Sequence, residues 1–146
     1  MSSNGGLAWQ ALLALLRTQK PRMAAIFAPF DLTPQLAHAI HAIPPGGFTM
    51  RALAGELACD ASNATGIVDR LERRGLIERS NDPADRRVKW VCLTDEGRRV
   101  RARIEARMSE APPPIAALSA ADQQALREIL ERAVAHAEAE RPRPGA

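Results

Sequence analysis

Aromatic residues are scarce, at 3% of 146 residues, while 46% are apolar and alanine and leucine dominate. Such a composition favours helices packed on helices over a sandwich or barrel. Cysteine is nearly absent: Cys59 and Cys92 lie far apart, with no C-x-x-C pair to suggest a disulfide framework or a zinc site. No charged-then-apolar leader opens the sequence and no apolar run is long enough to span a bilayer, so a soluble, cytoplasmic protein without a membrane partner is expected. Also missing are a G-x-S-x-G elbow, a phosphate-binding glycine loop, H-E-x-x-H and any recognisable triad. Neither an enzyme nor a cofactor is expected.

The length suits one compact domain, or a small domain with helices that need a partner to bury them. The formal net charge is only +3, but it is unevenly placed. Asp69 to Arg107 carries 12 Lys and Arg against 8 Asp and Glu, a local excess of +4, which leaves −1 for the rest. A basic stripe of this kind attracts phosphate backbones or anionic surfaces, although charge runs are more often solvated faces.

Along the chain, Leu12, Leu13, Leu16, Met23, Ile26 and Phe27 recur near helical spacing, interrupted by Pro21; they predict one broken helix from about Leu7 to Ala28. Thr33 is placed to cap a second helix with Pro34 at its first position, running to about Ile43. Pro44 to Gly47 form a loop, after which Thr49 caps a short helix through Leu57. A turn near Ala58–Asp60 leads into a helix of about a dozen residues with a stripe of Ile67, Val68 and Leu71, ended by Gly75. Leu76–Ser80 and a run through Val88–Leu93 predict a β-hairpin whose tip is Asn81–Arg87. Thr94 caps another helix that stops before Pro112–Pro114, and Ser119 opens a last one with Leu126, Ile129, Leu130, Ala133, Val134 and Ala137 on one face. The final Glu140–Ala146 is expected to fray.

Met50 to Gly75 has the layout of a helix–turn–helix, with Ala54 small enough for close crossing. The second helix presents Ser62, Asn63, Thr65 and Gly66 first, and charge only later, at Asp69, Arg70, Arg73 and Arg74. A helix in the major groove needs this gradient, because its N-terminal residues meet base edges and its flanking arginines meet phosphate. The hairpin completes a winged helix–turn–helix whose basic tip, with Asp85, Arg86, Arg87 and Lys89, lies where the neighbouring minor groove would be. The fold expected is mainly α with a small β-hairpin, and double-stranded DNA is the expected partner. The competing class is a winged-helix protein–protein interaction module without sequence-specific DNA binding; a salt-dependent gel shift separates the two.

These segments, LTPQ and the stretch from Gly55 to Val100, resemble the MarR family of bacterial transcription regulators over nearly the whole chain. DRLERRGLIER, DPADRR and LTDEGR carry the resemblance most specifically. It implies that Arg87 enters the minor groove and that Asp85 holds it by a salt bridge; a guanidinium suits the enhanced negative potential of a narrow A·T-rich groove. Gly66 stands where relatives often carry a larger or basic side chain, which shifts readout onto Ser62, Asn63, Thr65 and the wing. The resemblance also implies a single MarR-type domain over 1–146, with dimerisation helices at about 1–30 and 112–146 around a DNA-binding lobe at about 31–111. A homodimeric repressor of a palindromic operator, released by a small-molecule effector, is the function it implies.

The remaining chemical candidates are weak. His38 and His41 have a spacing that could share a metal, but no third ligand lies near in sequence, so no metal is expected. Cys59, near the start of the recognition helix, could be a redox switch; peroxide-sensing relatives carry their cysteine in the first helix, where this chain has none, and a packed thiol is expected. Trp9 is expected at a dimer seam rather than in a ligand pocket.

Overall fold

A computed structural model describes residues 3–140; the tail expected to fray lies, beyond Glu140, outside the described residues. The chain forms two compact units, one ending at Ser109 and one starting at Glu110.

The first unit opens with α1 (Asn4–Thr18) and α2 (Lys20–Phe27). Ser3 caps α1 by accepting the Gly6 N–H at 3.2 Å. The break falls at Gln19 because Pro21, in the first turn of α2, cannot continue a preceding helix. A single 3₁₀ turn, Ala28–Phe30, leads to Asp31, which is left-handed at φ 51. In α3 (Pro34–Ala42) Thr33 and Pro34 act as expected, the Thr33 hydroxyl accepting the Leu36 N–H at 3.3 Å.

Three short strands form an antiparallel sheet in the order β1 (Phe48–Thr49), β3 (Lys89–Leu93), β2 (Ile77–Asn81). The hairpin is the expected one, with Ile77 opposite Leu93 and Asn81 opposite Lys89. β1 is an addition: Phe48 and Thr49 pair with Val91 and Trp90. Two residues are too few to show a period of two, so nothing in the sequence marked them as a strand.

Between β1 and β2 lie α4 (Met50–Glu56) and α5 (Ala61–Arg73), followed after β3 by α6 (Asp95–Met108). α5 ends in a Schellman motif: Gly75 is left-handed, its N–H reaches the Glu72 carbonyl at 2.8 Å, and the Leu76 N–H reaches the Leu71 carbonyl at 3.0 Å. Gly97 lets α6 lie against the sheet, since an added Cβ would run into the Leu76 carbonyl oxygen. The core of this unit gathers Ile40, Leu53, Ile67, Val68, Leu71 and Val91, each at most 2% exposed. Each such side chain contributes about 1.5–3 kcal/mol of burial.

The second unit holds α7 (Pro113–Ala116) and α8 (Ala120–Glu140). The proline run stops α6 as expected but then starts α7, because proline suits the first turn of a helix. Ser119 opens α8 by accepting the Asp122 N–H at 3.1 Å and donating to its carboxylate at 2.6 Å. Among the described residues no helix is long and apolar enough to cross a membrane.

Candidate nucleic-acid interface

The first turn of α5 is set by Asp60, whose Oδ1 accepts the Asn63 N–H at 2.8 Å. Ser62, Asn63 and Thr65 are exposed there. The Thr65 hydroxyl donates to the Ala61 carbonyl at 2.8 Å, which leaves its lone pairs as acceptors. Gly66 faces open space, with no heavy atom within 4 Å of where a Cβ would stand, so packing does not demand a glycine and the surface is simply flat. The side of α5 opposite these residues is buried through Ala64, Ile67, Val68 and Leu71.

The charge in the second half of the helix is sorted by β2. Arg79, only 26% exposed, places Nη2 at 2.6 Å from Asp69 Oδ1 and Nη1 at 2.6 Å from Glu72 Oε2. One guanidinium thus engages both acidic groups of α5, while Arg70 and Arg73 stay exposed. Arg73 Nε–H also donates to the Asp69 carbonyl at 3.3 Å. The expectation grouped Arg74 with them as a phosphate-facing residue, but its guanidinium donates to the main-chain carbonyls of Phe30 and Asp31 instead.

The wing tip is organised by two aspartates. Asp82 Oδ1 accepts the N–H groups of Ala84 at 2.7 Å and Asp85 at 3.3 Å, and Oδ2 accepts the Trp90 indole N–H at 2.9 Å. The indole, then the two backbone donors, hold the Asp82 carboxyl below its ordinary range against a small opposing effect of burial. Asp85 Oδ1 accepts both the backbone N–H and the Nε–H of Arg87, at 3.0 and 3.1 Å, and Oδ2 accepts Nη2–H at 3.3 Å. The Arg87 side chain, followed by its backbone N–H, lowers the Asp85 pKa. Arg87 remains 91% exposed, so it is held by one edge with the rest of the fork facing solvent. Arg86 is exposed without an ion pair among the described residues, and Lys89 Nζ donates to Asn81 Oδ1 across the hairpin.

Two recesses lie along this surface. One recess of about 520 Å³ is lined by Met50, Thr65, Asp69, Arg79, Asn81 and Lys89. Another, of about 370 Å³, lies between Thr49, Met50, Arg51, Arg87, Val88 and Lys89. Met50 and Lys89 line both, and the pairing of β1 with β3 sets Thr49, the cap of α4, beside the wing. The structure therefore places the residues expected on the interface, Arg74 excepted, on α5 or the wing, and adds Asp60, Arg79, Asp82 and Trp90 as their supports. Asp60 and Asp82 had a local signal, an Asx residue opening a helix and a turn; Arg79 meets its partners across 7 and 10 residues of chain and had none.

The other candidates stand apart. His41 Nδ1 lies 3.1 Å from Glu105 Oε1, and no cluster of three metal-capable side chains occurs among the described residues. Cys59 is half-buried against the core, and Trp9 is 59% exposed on α1.

A polar-fronted helix beside a basic hairpin defines a winged helix–turn–helix of the nucleic-acid-binding class. The MarR family model matches residues 44–89, which spans this interface. The chain is 40% identical over 55 residues to the uncharacterised HTH-type transcriptional regulator YsmB of Bacillus subtilis (strain 168), a match covering 38% of each chain. It is 34% identical over 92 residues to YfiV of the same organism, 60% of this chain and 58% of that one. The matches span roughly two fifths and three fifths of the length of these curated relatives. A probable transcriptional regulator from Pseudomonas aeruginosa is similar in structure with 34% identity and a TM-score of 0.60, over 81% of this chain and 92% of that one. The MarR C80S mutant from E. coli shares the fold at a TM-score of 0.78 and 20% identity, over 92% and 98%. CouR from Rhodococcus jostii RHA1, in its complex with p-coumaroyl-CoA, gives 0.62 and 27%, over 83% and 87%. This chain belongs to the MarR family of transcription regulators, which are not enzymes.

Proposed function

We propose that the chain is a homodimeric, DNA-binding repressor of a palindromic operator containing A·T-rich segments, relieved by a small apolar ligand. The observation that carries the DNA-binding part is the pairing of an uncharged, exposed first turn on α5 with an arginine that is 91% exposed yet tethered by Asp85. The first suits base edges in the major groove and the second a narrow minor groove beside it. Ser62, Asn63, Thr65 and Gly66 face bases in this reading; Arg70, Arg73, Arg86 and Lys89 meet phosphate; Arg87 enters the minor groove. In this reading about 1–30 and 112–146 supply the dimer contacts and about 31–111 the DNA-binding lobe.

Ligand relief draws support from a cavity of about 290 Å³ within the first unit, with apolar walls from Met23, Phe27, Ala37, Ile40, Ile104 and Met108. His38, His41, Arg101 and Glu105 supply its few polar groups. CouR, 27% identical, holds p-coumaroyl-CoA. Cytoplasmic localisation follows from the same regulatory role.

Repeated selection of duplexes from a randomised pool tests the reading. The enriched sequences should contain a two-fold repeat with half-sites about one helical turn apart. A folded protein that enriches nothing, and whose weak binding vanishes with salt on every duplex alike, would sink it in favour of a protein-binding module.

A further inference from the structure

Arg74 is the C-cap of α5, next to the exposed Arg70 and Arg73, yet its side chain is only 31% exposed. Its two terminal nitrogens donate to consecutive carbonyls, those of Asp31 and Phe30, and Nη1 is 3.8 Å from Asp31 Oδ2. The segment it grips is well held. Asp31 is left-handed, its N–H bonds to the Ala28 carbonyl at 2.9 Å, and the Leu32 N–H bonds to that of Phe27 at 3.4 Å. Phe30 is 8% exposed, and the guanidinium carbons of Arg103 and Arg107 on α6 stand 4.9 and 5.9 Å from its ring centroid.

We infer that Arg74 is a positioning residue that braces the C-terminal end of the recognition helix against the segment joining α2 to α3, and that it does not serve as a phosphate contact. The inference rests on the DNA-binding reading above. Its physical basis is leverage. The 13 residues of α5 span about 20 Å, so a tilt of about 10° at the braced end moves the first turn by about 3 Å. A displacement of that size breaks hydrogen bonds to base edges, which need donor–acceptor distances near 3 Å, while screened phosphate contacts survive it. A planar fork delivers two parallel N–H groups to two carbonyls; an ammonium keeps the charge without that geometry.

The test uses full-length Arg74→Gln and Arg74→Lys, titrated with a selected duplex and a random duplex over a range of salt, at a temperature where circular dichroism shows both folded. Both variants should lose about tenfold on the selected duplex and little on the random one, with the wild-type slope of log K against log salt. Amide exchange at Asp31, Leu32, Gly75 and Leu76 should accelerate, while exchange in β2 and β3 stays as in wild type. Parallel losses on both duplexes with a slope reduced by about one per half-site would mark a phosphate contact and overturn the inference. A lowered melting temperature with an unchanged ratio of selected to random affinity would reduce Arg74 to a stability role and overturn it too, as would wild-type binding by Arg74→Lys. Failure of the wild type to bind any duplex would remove the function proposed above; the exchange data then decide the brace alone, and unchanged exchange at Asp31 and Leu32 would overturn it.

Discussion

Arg87 joins near-complete exposure to a fixed orientation, since Asp85 takes up its backbone N–H and one edge of the guanidinium. Replacing Arg87 by Ala should weaken binding to the selected duplex by about ten- to hundredfold, and Lys should not restore it, because an ammonium is more strongly hydrated and lacks the planar fork. Asp85→Ala sets two effects against each other. Removing a carboxylate near DNA favours binding by Coulomb's law, whereas freeing Arg87 disfavours it. Weaker binding than wild type at fixed salt is expected; tighter binding would show that Asp85 does not orient the arginine. Asp82 supplies a pH dependence with a definite sign. Its folded-state pKa is depressed below the ordinary 3.8, so the stability it lends the wing is present above that value and is lost as pH falls below it. Emission from Trp90, followed in a Trp9→Phe background, should change on acidification below that value in wild type and show no such step in Asp82→Asn.

At the scale of elements, α4 and α5 end in the same motif with different residues. The Cys59 N–H reaches the Ala54 carbonyl and the Ala58 N–H that of Gly55, both at 3.1 Å, with Ala58 left-handed at φ 49 where Gly75 serves α5. An alanine there pays a steric penalty that glycine avoids, partly offset by the greater freedom of glycine in the unfolded chain. Ala58→Gly should therefore stabilise the fold by about 0.5–1 kcal/mol, raising Tm by about 2–4 °C in calorimetry; a lower Tm would show that the turn is not strained. The boundaries of α3, α4 and α6 were legible because Thr33, Thr49 and Thr94 cap them through bonds spanning three residues. β1 was not, since its two residues are a strand only by virtue of Val91 and Trp90 opposite.

For the whole molecule, large apolar side chains stand exposed on both terminal helices: Leu7, Trp9 and Leu16 on α1, and Ile129, Leu130 and Val134 on α8. On α7 and α8, Ile115, Leu126, Leu130 and Val134 line a shallow apolar groove. Exposed apolar faces of this kind mark association surfaces, and the proposed homodimer covers them. The double variant Leu130→Glu/Val134→Glu should be monomeric by light scattering and bind a two-half-site duplex about a hundredfold or more weakly, because two linked recognition helices become two independent ones. A wild type that is already monomeric would remove this expectation and the dimer together.

The sequence alone determined whatever depends on neighbours within one or two turns: the capped helices, the break at Pro21, the buried stripe of α5, the hairpin and the polar-to-basic gradient along α5. Its resemblance to the MarR family also named Asp85 and Arg87, two residues apart, as an ion pair. Tertiary structure decided which charges are available. Arg79 and Arg74 look in sequence like further members of a basic run, yet one is spent on Asp69 and Glu72 and the other on carbonyls 43 and 44 residues away. The physical reason is that a guanidinium's role is set by the acceptors around it, and those acceptors come from segments that only the folded chain brings within hydrogen-bonding distance.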